Sequence, residues 1–424
     1  MMLLMLNKQK LPRFFKQYLV WLEAHQRLMA AILIVTLWRL CLEIVNQFLE
    51  RLIKFSGGSV SCSGWISSSL SRWMQWDGGW YSSIINNGYH YLASAPLSYQ
   101  TVAFFPVFPG LVYILHYITR FPVVIVGEGA NLCLAIGIAY VAYKLWLLLR
   151  DKYNSSPRLP MAKNDGGLLT VALIFALPTA FFMAAFYAEA LLVFCLLLAI
   201  YLSFKKNYVV AAFFAGLASA TNITGIVAMP TVILIFIDQE SVIGYGLRKS
   251  ISKYWYKILL LGLAGIWGLL SYMGYLWVKF KDPLVFYKSE QAWGRRLDDP
   301  LINIWNIYYK HFFDVSFFGG HLNYLVALTD MLVPILAIVF IAYVIYKRVW
   351  WIAAYAFILL VLPLSSGRLS SINRYALALS PCIIYLCAVS PGKLQKYLWM
   401  IIPLLAFIQI ILVAVFLQGK FFVG

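Results

Sequence analysis

Phe105-Pro106-Val107-Phe108-Pro109-Gly110 decides how this chain is threaded. It lies inside an apolar segment, 101–119, that otherwise resembles a membrane crossing. Two prolines three residues apart disturb a helix ladder that hydrocarbon cannot repair, so the segment reads as broken and interfacial rather than spanning. The surroundings set the solvent. Hydrophobic residues make up 62% of the 424, charged residues only 12%, and mean hydropathy is +0.80, which together describe a polytopic membrane protein.

The charge pattern fixes the threading. Lys and Arg cluster at the N-terminus (Lys8, Lys10, Arg13, Lys16), at 144–166, at Lys205 and Lys206, at 248–257, at Lys347 and Arg348, and at Lys393 and Lys396. These loops belong on the cytoplasmic side. If both 101–119 and 122–149 crossed, the basic 144–166 loop would fall outside; with 101–119 in the interface, the alternation works. About eleven spans of an all-α bundle follow. They are 28–48, 122–149, 168–184, 187–204, 208–220, 224–237, 258–278, 322–346, 349–364, 376–389 and 397–417. The N-terminus is expected inside and the C-terminus outside. The first span reads as an uncleaved anchor, with Arg39 and Glu43 spaced to pair at i,i+4. The whole chain, 1–424, reads as one transmembrane domain with a first outer loop at 50–121, built of amphipathic or broken helices, and a second at 279–321.

Several functions are excluded or unsupported. The +18 formal charge lies in short clusters between apolar runs, which suits an anionic leaflet and no nucleic acid. Of six cysteines, Cys41, Cys133, Cys195, Cys382 and Cys387 sit in apolar runs and only Cys62 in a polar loop, so no disulfide framework is expected. There is no Walker A sequence, no Gly-rich strand-to-helix turn and no Asp-x-Asp pair. The five histidines are scattered. No metal site and no cofactor are expected.

The chemistry concentrates on the outer side. Trp73-Met74-Gln75-Trp76-Asp77-Gly78-Gly79-Trp80-Tyr81 places one carboxylate among aromatic rings in the first outer loop. Trp73, Asp77, Trp80 and Ile84 share one face if the stretch is helical. Asp77 reads equally as a functional carboxylate or as the cap of a helix beginning at Gly78, and the two are compatible. Glu189, at an apolar turn, needs either a structural partner or a functional one. Glu128 and Asp330 read as structural partners of buried polar groups. Lys288, Arg295, Arg296, Arg368 and Arg374 run against the positive-inside bias. They suit either bulk head groups or, as a set, one lipid phosphate.

Ordered motifs along most of the chain resemble the PIG-V-like mannosyltransferases (GPI mannosyltransferase 2 type) of the GT-C superfamily of membrane glycosyltransferases. They are 76–81 through Gly88-Tyr89; Phe104 to Pro109; Pro178 to Phe182 with Tyr187-Ala188-Glu189-Ala190; Lys281 to Leu284 with Trp293-Gly294-Arg295; and Asn373-Arg374-Tyr375. Asn222 departs from the pattern, standing where similar proteins often carry arginine. The resemblance implies a GT-C-type helical bundle and an inverting transferase that moves a sugar, typically mannose, from a polyprenyl-phosphate donor to an acceptor hydroxyl. The acceptor is a glycan, glycolipid or protein. By the same resemblance Asp77 is the catalytic base. Arg295 and Arg374 lead the donor-phosphate contacts, with Lys288, Arg296 and Arg368 behind them. Trp76, Trp80, Tyr81, Glu189, Asn222, Trp293 and Tyr375 belong to the sugar and acceptor pocket. Short loops suit a bacterial inner membrane with a periplasmic active site and membrane lipids as neighbours. A transporter or flippase of a lipid-linked or small polar substrate is the alternative; it calls for matched halves with paired broken helices, which the sequence lacks.

Overall fold

The computed structural model describes residues 13–52, 69–95, 98–153, 166–241, 247–303, 305, 321–366 and 372–419. Among these residues the protein is all-α, with helices joined by short 3-10 turns and no strand. In chain order the helices are α1 (Arg13–Leu52), α2 (Asp77–Asn87), α3 (Val107–Thr119), α4 (Val123–Tyr153), α5 (Gly166–Ala176), α6 (Glu189–Phe204), α7 (Tyr208–Ser219) and α8 (Ala228–Ser241). They continue with α9 (Leu247–Gly265), α10 (Trp267–Phe280), α11 (Val285–Ser289), α12 (His321–Tyr346), α13 (Trp350–Leu364), α14 (Ile372–Tyr375), α15 (Ser380–Val389) and α16 (Gly392–Leu417).

The helices are apolar on the outside as well as inside, the mark of a protein solvated by lipid. On α1 the side chains of Met29, Leu33, Leu37, Leu40, Ile44 and Phe48 recur every three or four residues, and each is more than half exposed. Tyr397, Met400, Leu404 and Phe407 repeat the pattern on α16. Among the described residues, Gln26–Arg51, Val123–Tyr153, Ile223–Glu240 and Leu394–Leu417 are long and apolar enough to cross a bilayer alone. Each of the eleven expected segments contains helix, although 168–184 is helical only to Ala176 before a 3-10 turn at Ala180–Met183, and several of the helices are shorter than a full crossing. The protein is an integral, polytopic membrane protein.

One expected span differs in shape. Segment 258–278 was expected as a single helix, yet Ile251–Gly265 and Trp267–Phe280 meet at a 53° bend. The bend follows from close packing. A Cβ on Gly268 would lie 2.2 Å from the Gly216 carbonyl oxygen and 2.8 Å from Ala220 Cβ, so α10 approaches α7 backbone to backbone. Trp267 Nε1 then donates to Phe213 O at 3.1 Å. Gly268→Ala is expected to cost about 1–3 kcal/mol through overpacking, read as a lower thermal midpoint of the purified protein. An unchanged midpoint would show that the crossing is loose.

The prolines at 106 and 109 act differently from expectation. Segment 101–119 is broken, with a 3-10 turn at Thr101–Ala103 ahead of α3. But Pro106 is the N-cap of α3 and Pro109 lies in its first turn, where backbone N–H groups lack intrahelical partners anyway. The prolines therefore start a helix rather than damage one. Its far end exposes Tyr113, Ile114, Tyr117 and Ile118, with Arg120 over the Tyr117 ring.

The two ends of the bundle have different chemistry. At one, Lys152 pairs with Asp238 at 2.6 Å, Trp351 donates to the Tyr153 hydroxyl at 3.0 Å, and Phe204 packs on Trp351. This gathers the basic-loop ends of α4, α6, α8 and α13. At the opposite end Phe186 N–H donates to Trp73 O, Val107 N–H to Ala220 O, and Arg296 N–H to Ser366 O. Phe416, at the end of α16, packs against Trp73 and Tyr187. These contacts place the end of α16 and the Asp77 stretch together, away from the Lys152 cluster, as the charge alternation requires.

Below Trp73 lies a polar layer. Arg39 Nη2 donates to Glu128 Oε2 at 2.6 Å and Nη1 lies 3.6 Å from Glu43. Asn46 and Gln47 reach Glu43 and Ser69, and Trp73 Nε1 donates to Glu43 at 3.3 Å. Glu128 thus has the structural partner expected of it; the side chain of Asp330 lies outside the described residues.

Candidate active site

The Asp77 site starts with a break rather than a continuous helix. Trp73 belongs to a separate 3-10 turn, Arg72–Met74, and is fully buried, so it does not share a helix face with Asp77 as the spacing suggested. Between them Trp76 adopts φ 53° and ψ −111°, a conformation costing about 1–3 kcal/mol for a non-glycine residue. The Tyr187 hydroxyl holds this turn: it donates to Gln75 O at 2.9 Å and accepts from the Asp77 N–H at 3.3 Å. Gly78 completes it, because a Cβ there would sit 3.3 Å from Phe186 O. Asn131 in turn fixes the Tyr187 segment, donating to Ala185 O and to Tyr187 O.

Asp77 is the first residue of α2, and the cap position belongs to Trp76, which makes no side-chain capping bond. The carboxylate is turned to a different task. Arg374 Nη1 donates to Asp77 Oδ2 at 2.5 Å, across 297 residues of sequence. Arg374 Nε lies 2.9 Å from Glu189 Oε1. The guanidinium is also within cation–π range of Phe182 and Tyr187. Side-chain exposures of 23%, 13% and 8% for Asp77, Arg374 and Glu189 make this a largely enclosed triad. Burial alone would lower the basicity of Arg374, but Asp77 and Glu189 outweigh it and hold the guanidinium above its ordinary range. Asp77 Oδ1 makes no hydrogen bond among the described residues, which leaves it an acceptor without a donor from within the chain.

A second pair stands beside the triad. Arg295 Nη1 donates to Glu290 Oε2 at 3.0 Å across the left-handed turn at Gly294. Burial pushes the Glu290 carboxyl above the usual range, opposed by Arg295 and assisted by Asp77. Counted together, the centre holds three carboxylates (Asp77, Glu189, Glu290) and two guanidiniums. The arginines expected to wait for an external anion are therefore already partnered from within.

The remaining sequence candidates separate. Trp80 stacks on Phe104 at 5.9 Å and meets Trp293 edge-on at 6.1 Å, forming an aromatic wall one turn from Asp77. Tyr375 interacts electrostatically with both Arg295 and Arg374. Trp76 is 41% exposed at the turn. Tyr81 is buried against Phe104 and Phe108, behind the wall rather than on it. Asn222 caps the 3-10 turn Ile223–Val227, its side-chain oxygen accepting from the Thr224 N–H and hydroxyl, each at 3.0 Å. Lys288 pairs with Asp282 at 2.5 Å, and Arg296, 78% exposed, lies 3.8 Å from Asp298. Arg368 falls outside the described residues. Glu290 and Tyr187 were missed by sequence reasoning. For Glu290 the available signal was an acid five residues before Arg295 with a glycine between them; for Tyr187, a hydroxyl in an otherwise apolar turn. No three His, Cys, Asp or Glu side chains converge to hold a metal ion among the described residues.

Fold and site define a class: an all-α integral membrane protein with an ion-paired carboxylate centre at one end of its bundle. No family model matches the chain, and no curated protein is similar to it. Among solved structures, the chain is similar to the archaeal oligosaccharyltransferase AglB from Archaeoglobus fulgidus, in complex with an inhibitory peptide and a dolichol-phosphate. The two are 13% identical with a TM-score of 0.44, over 93% of this chain and 56% of that one. The chain thus spans little more than half the length of that protein, and the functional reading rests on the site itself.

Proposed function

We propose that this protein is an inverting glycosyltransferase of GT-C type, moving a hexose from a polyprenyl-phosphate donor to an acceptor hydroxyl at the Asp77 end of the bundle. The PIG-V-like motifs point to mannose and to a periplasmic or lumenal site. The observation that carries the reading is Asp77 itself: one carboxylate oxygen is fixed by Arg374, and the other makes no hydrogen bond among the described residues, one turn from an aromatic wall.

In this scheme Asp77 Oδ1 takes the proton of the acceptor hydroxyl as its oxygen bonds to the anomeric carbon. The carbon–oxygen bond to phosphate breaks on the opposite face, and polyprenyl phosphate leaves with the electron pair. Inversion separates base and leaving group. Arg374, bound to the base and to Glu189, then serves to position Asp77, while Arg295 meets the phosphate charge. Lys288 and Arg296 are themselves exposed, so their pairs with half-buried Asp282 and Asp298 are screened and weak, and both remain available to the outer phosphate oxygens.

The test supplies proteoliposomes with a polyprenyl-phosphate hexose labelled in the sugar, in parallel with a nucleotide hexose. Label leaving the lipid for an acceptor, with polyprenyl phosphate accumulating and the nucleotide sugar inert, is the expected result. Label crossing the bilayer still attached to its lipid would favour translocation instead.

A pH effect follows from Glu290. Its carboxyl is raised by burial, so it takes up a proton above the usual carboxylate window as pH falls. Protonation loosens its hold on Arg295. Donor affinity should therefore improve as pH falls through that window, and Glu290→Gln should give tight donor binding with the pH dependence removed. A KM for donor that keeps the same pH profile in Glu290→Gln would assign the effect to another group.

A further inference from the structure

A second feature adjoins the charged centre and is not used by it. A cavity of about 750 Å³ opens between α2, the 88–101 loop and the end of α10. That volume lies within the range of small-ligand sites, about 300–1,000 Å³. We infer that this groove is a saccharide subsite that binds the sugar of the acceptor, stacked on Trp80, Tyr91 and Tyr99. Its role as acceptor site rests on the transfer reading above; its capacity to bind a sugar does not.

The lining has the chemistry of a neutral, polyhydroxylated ligand. Of the aromatic rings that border it, Trp80 is packed on Phe104, Tyr99 on Trp293 at 4.8 Å, and Tyr91 on Phe280, itself part of the lining, at 5.9 Å. Rigid rings offer apolar faces to the C–H side of a pyranose at little entropic cost. Ser83 and His90 supply polar side chains that make no hydrogen bond among the described residues. No carboxylate lines the groove. Its ammonium, on Lys279, already donates to Tyr89 O at 2.9 Å and to the Tyr275 hydroxyl at 3.1 Å. Those two acceptors are neutral, so Lys279 keeps its positive charge and a third N–H to offer a ligand oxygen such as a sugar hydroxyl. Gln100 and Thr101 tie this side of the groove together, bonding to Leu92, Ala95 and His90.

The groove also adjoins the base: Asp77 stands three residues before Trp80 on α2, so the groove's Trp80 wall lies one helical turn from the ion-paired carboxylate.

Ligand-detected saturation-transfer NMR tests this with methyl α-mannopyranoside and methyl α-glucopyranoside as probes. The protein is held in nanodiscs, since sugar-headed detergents would compete. The expected result is transfer to pyranose C–H protons with wild type, at least fivefold weaker with Tyr99→Ala and with Ser83→Trp, which fills the groove. Full transfer should persist with Asp77→Asn. Absence of transfer with wild type, equal transfer with Ser83→Trp, or displacement of the sugar by inorganic phosphate would overturn the assignment. Because the readout is binding, a groove that fails leaves the Asp77 reading intact, and a transfer reading that fails leaves the groove intact.

Discussion

Arg374→Ala should destabilise the folded protein by about 3–5 kcal/mol, because it strands two carboxylates in a largely enclosed site. In the native protein the guanidinium meets Asp77 at 2.5 Å and Glu189 at 2.9 Å, and Phe182 and Tyr187 lie within cation–π range of it. Alanine leaves none of those charges answered. Lysine retains the charge but lacks the planar fork that reaches both carboxylates, so Arg374→Lys should fall between alanine and wild type. Thermal unfolding in a fixed lipid or detergent environment gives the order. If Arg374→Ala melted with wild type, the triad would be an incidental contact and the positioning of Asp77 would need another explanation.

Asp77→Asn should separate stability from chemistry. Asparagine keeps the size of the side chain and can still accept from Arg374 Nη1, so the fold should survive. It cannot take a proton from an attacking hydroxyl, and loss of a general base is worth about 10²–10⁴-fold in rate. The expected signature is a collapse of kcat with donor and acceptor KM close to wild type. Since Asp77 does not line the tyrosine-lined groove, acceptor binding should persist.

Much of this arrangement was legible in the sequence, for physical reasons. Lipid solvation forces long apolar segments, and charge asymmetry orders their ends, so the all-α polytopic architecture and the common end shared by Asp77, Glu189 and Arg374 followed from composition and loop charge. The break at Gln75–Trp76 did not. A positive φ at tryptophan leaves no residue signature, and the helical spacing of Trp73, Asp77 and Trp80 continues through it. The bend at Ile266 was hidden because only the approach of Gly268 to Gly216 makes it necessary.

The site shows the same division. Asp77 stood out through its neighbours, but its ion pair spans 297 residues and no local pattern encodes it. Reading Arg295 and Arg374 as cations lacking partners led to a phosphate role for both. The structure supplies partners within the chain, and the pair divides: Arg374 bonds the carboxylate, while Arg295 is held by Glu290, an acid that takes up a proton more readily than usual. Asn222 proves to be a turn cap.

The central claim is that Asp77 is the base for sugar transfer. Its most direct test is a single-turnover measurement in proteoliposomes with a sugar-labelled polyprenyl-phosphate hexose, comparing wild type with Asp77→Asn at equal folded content. Transfer by wild type, with a rate at least 100-fold lower in the variant, is the expected result. Equal transfer by the two proteins, or movement of label across the bilayer without a glycosylated product, would contradict it.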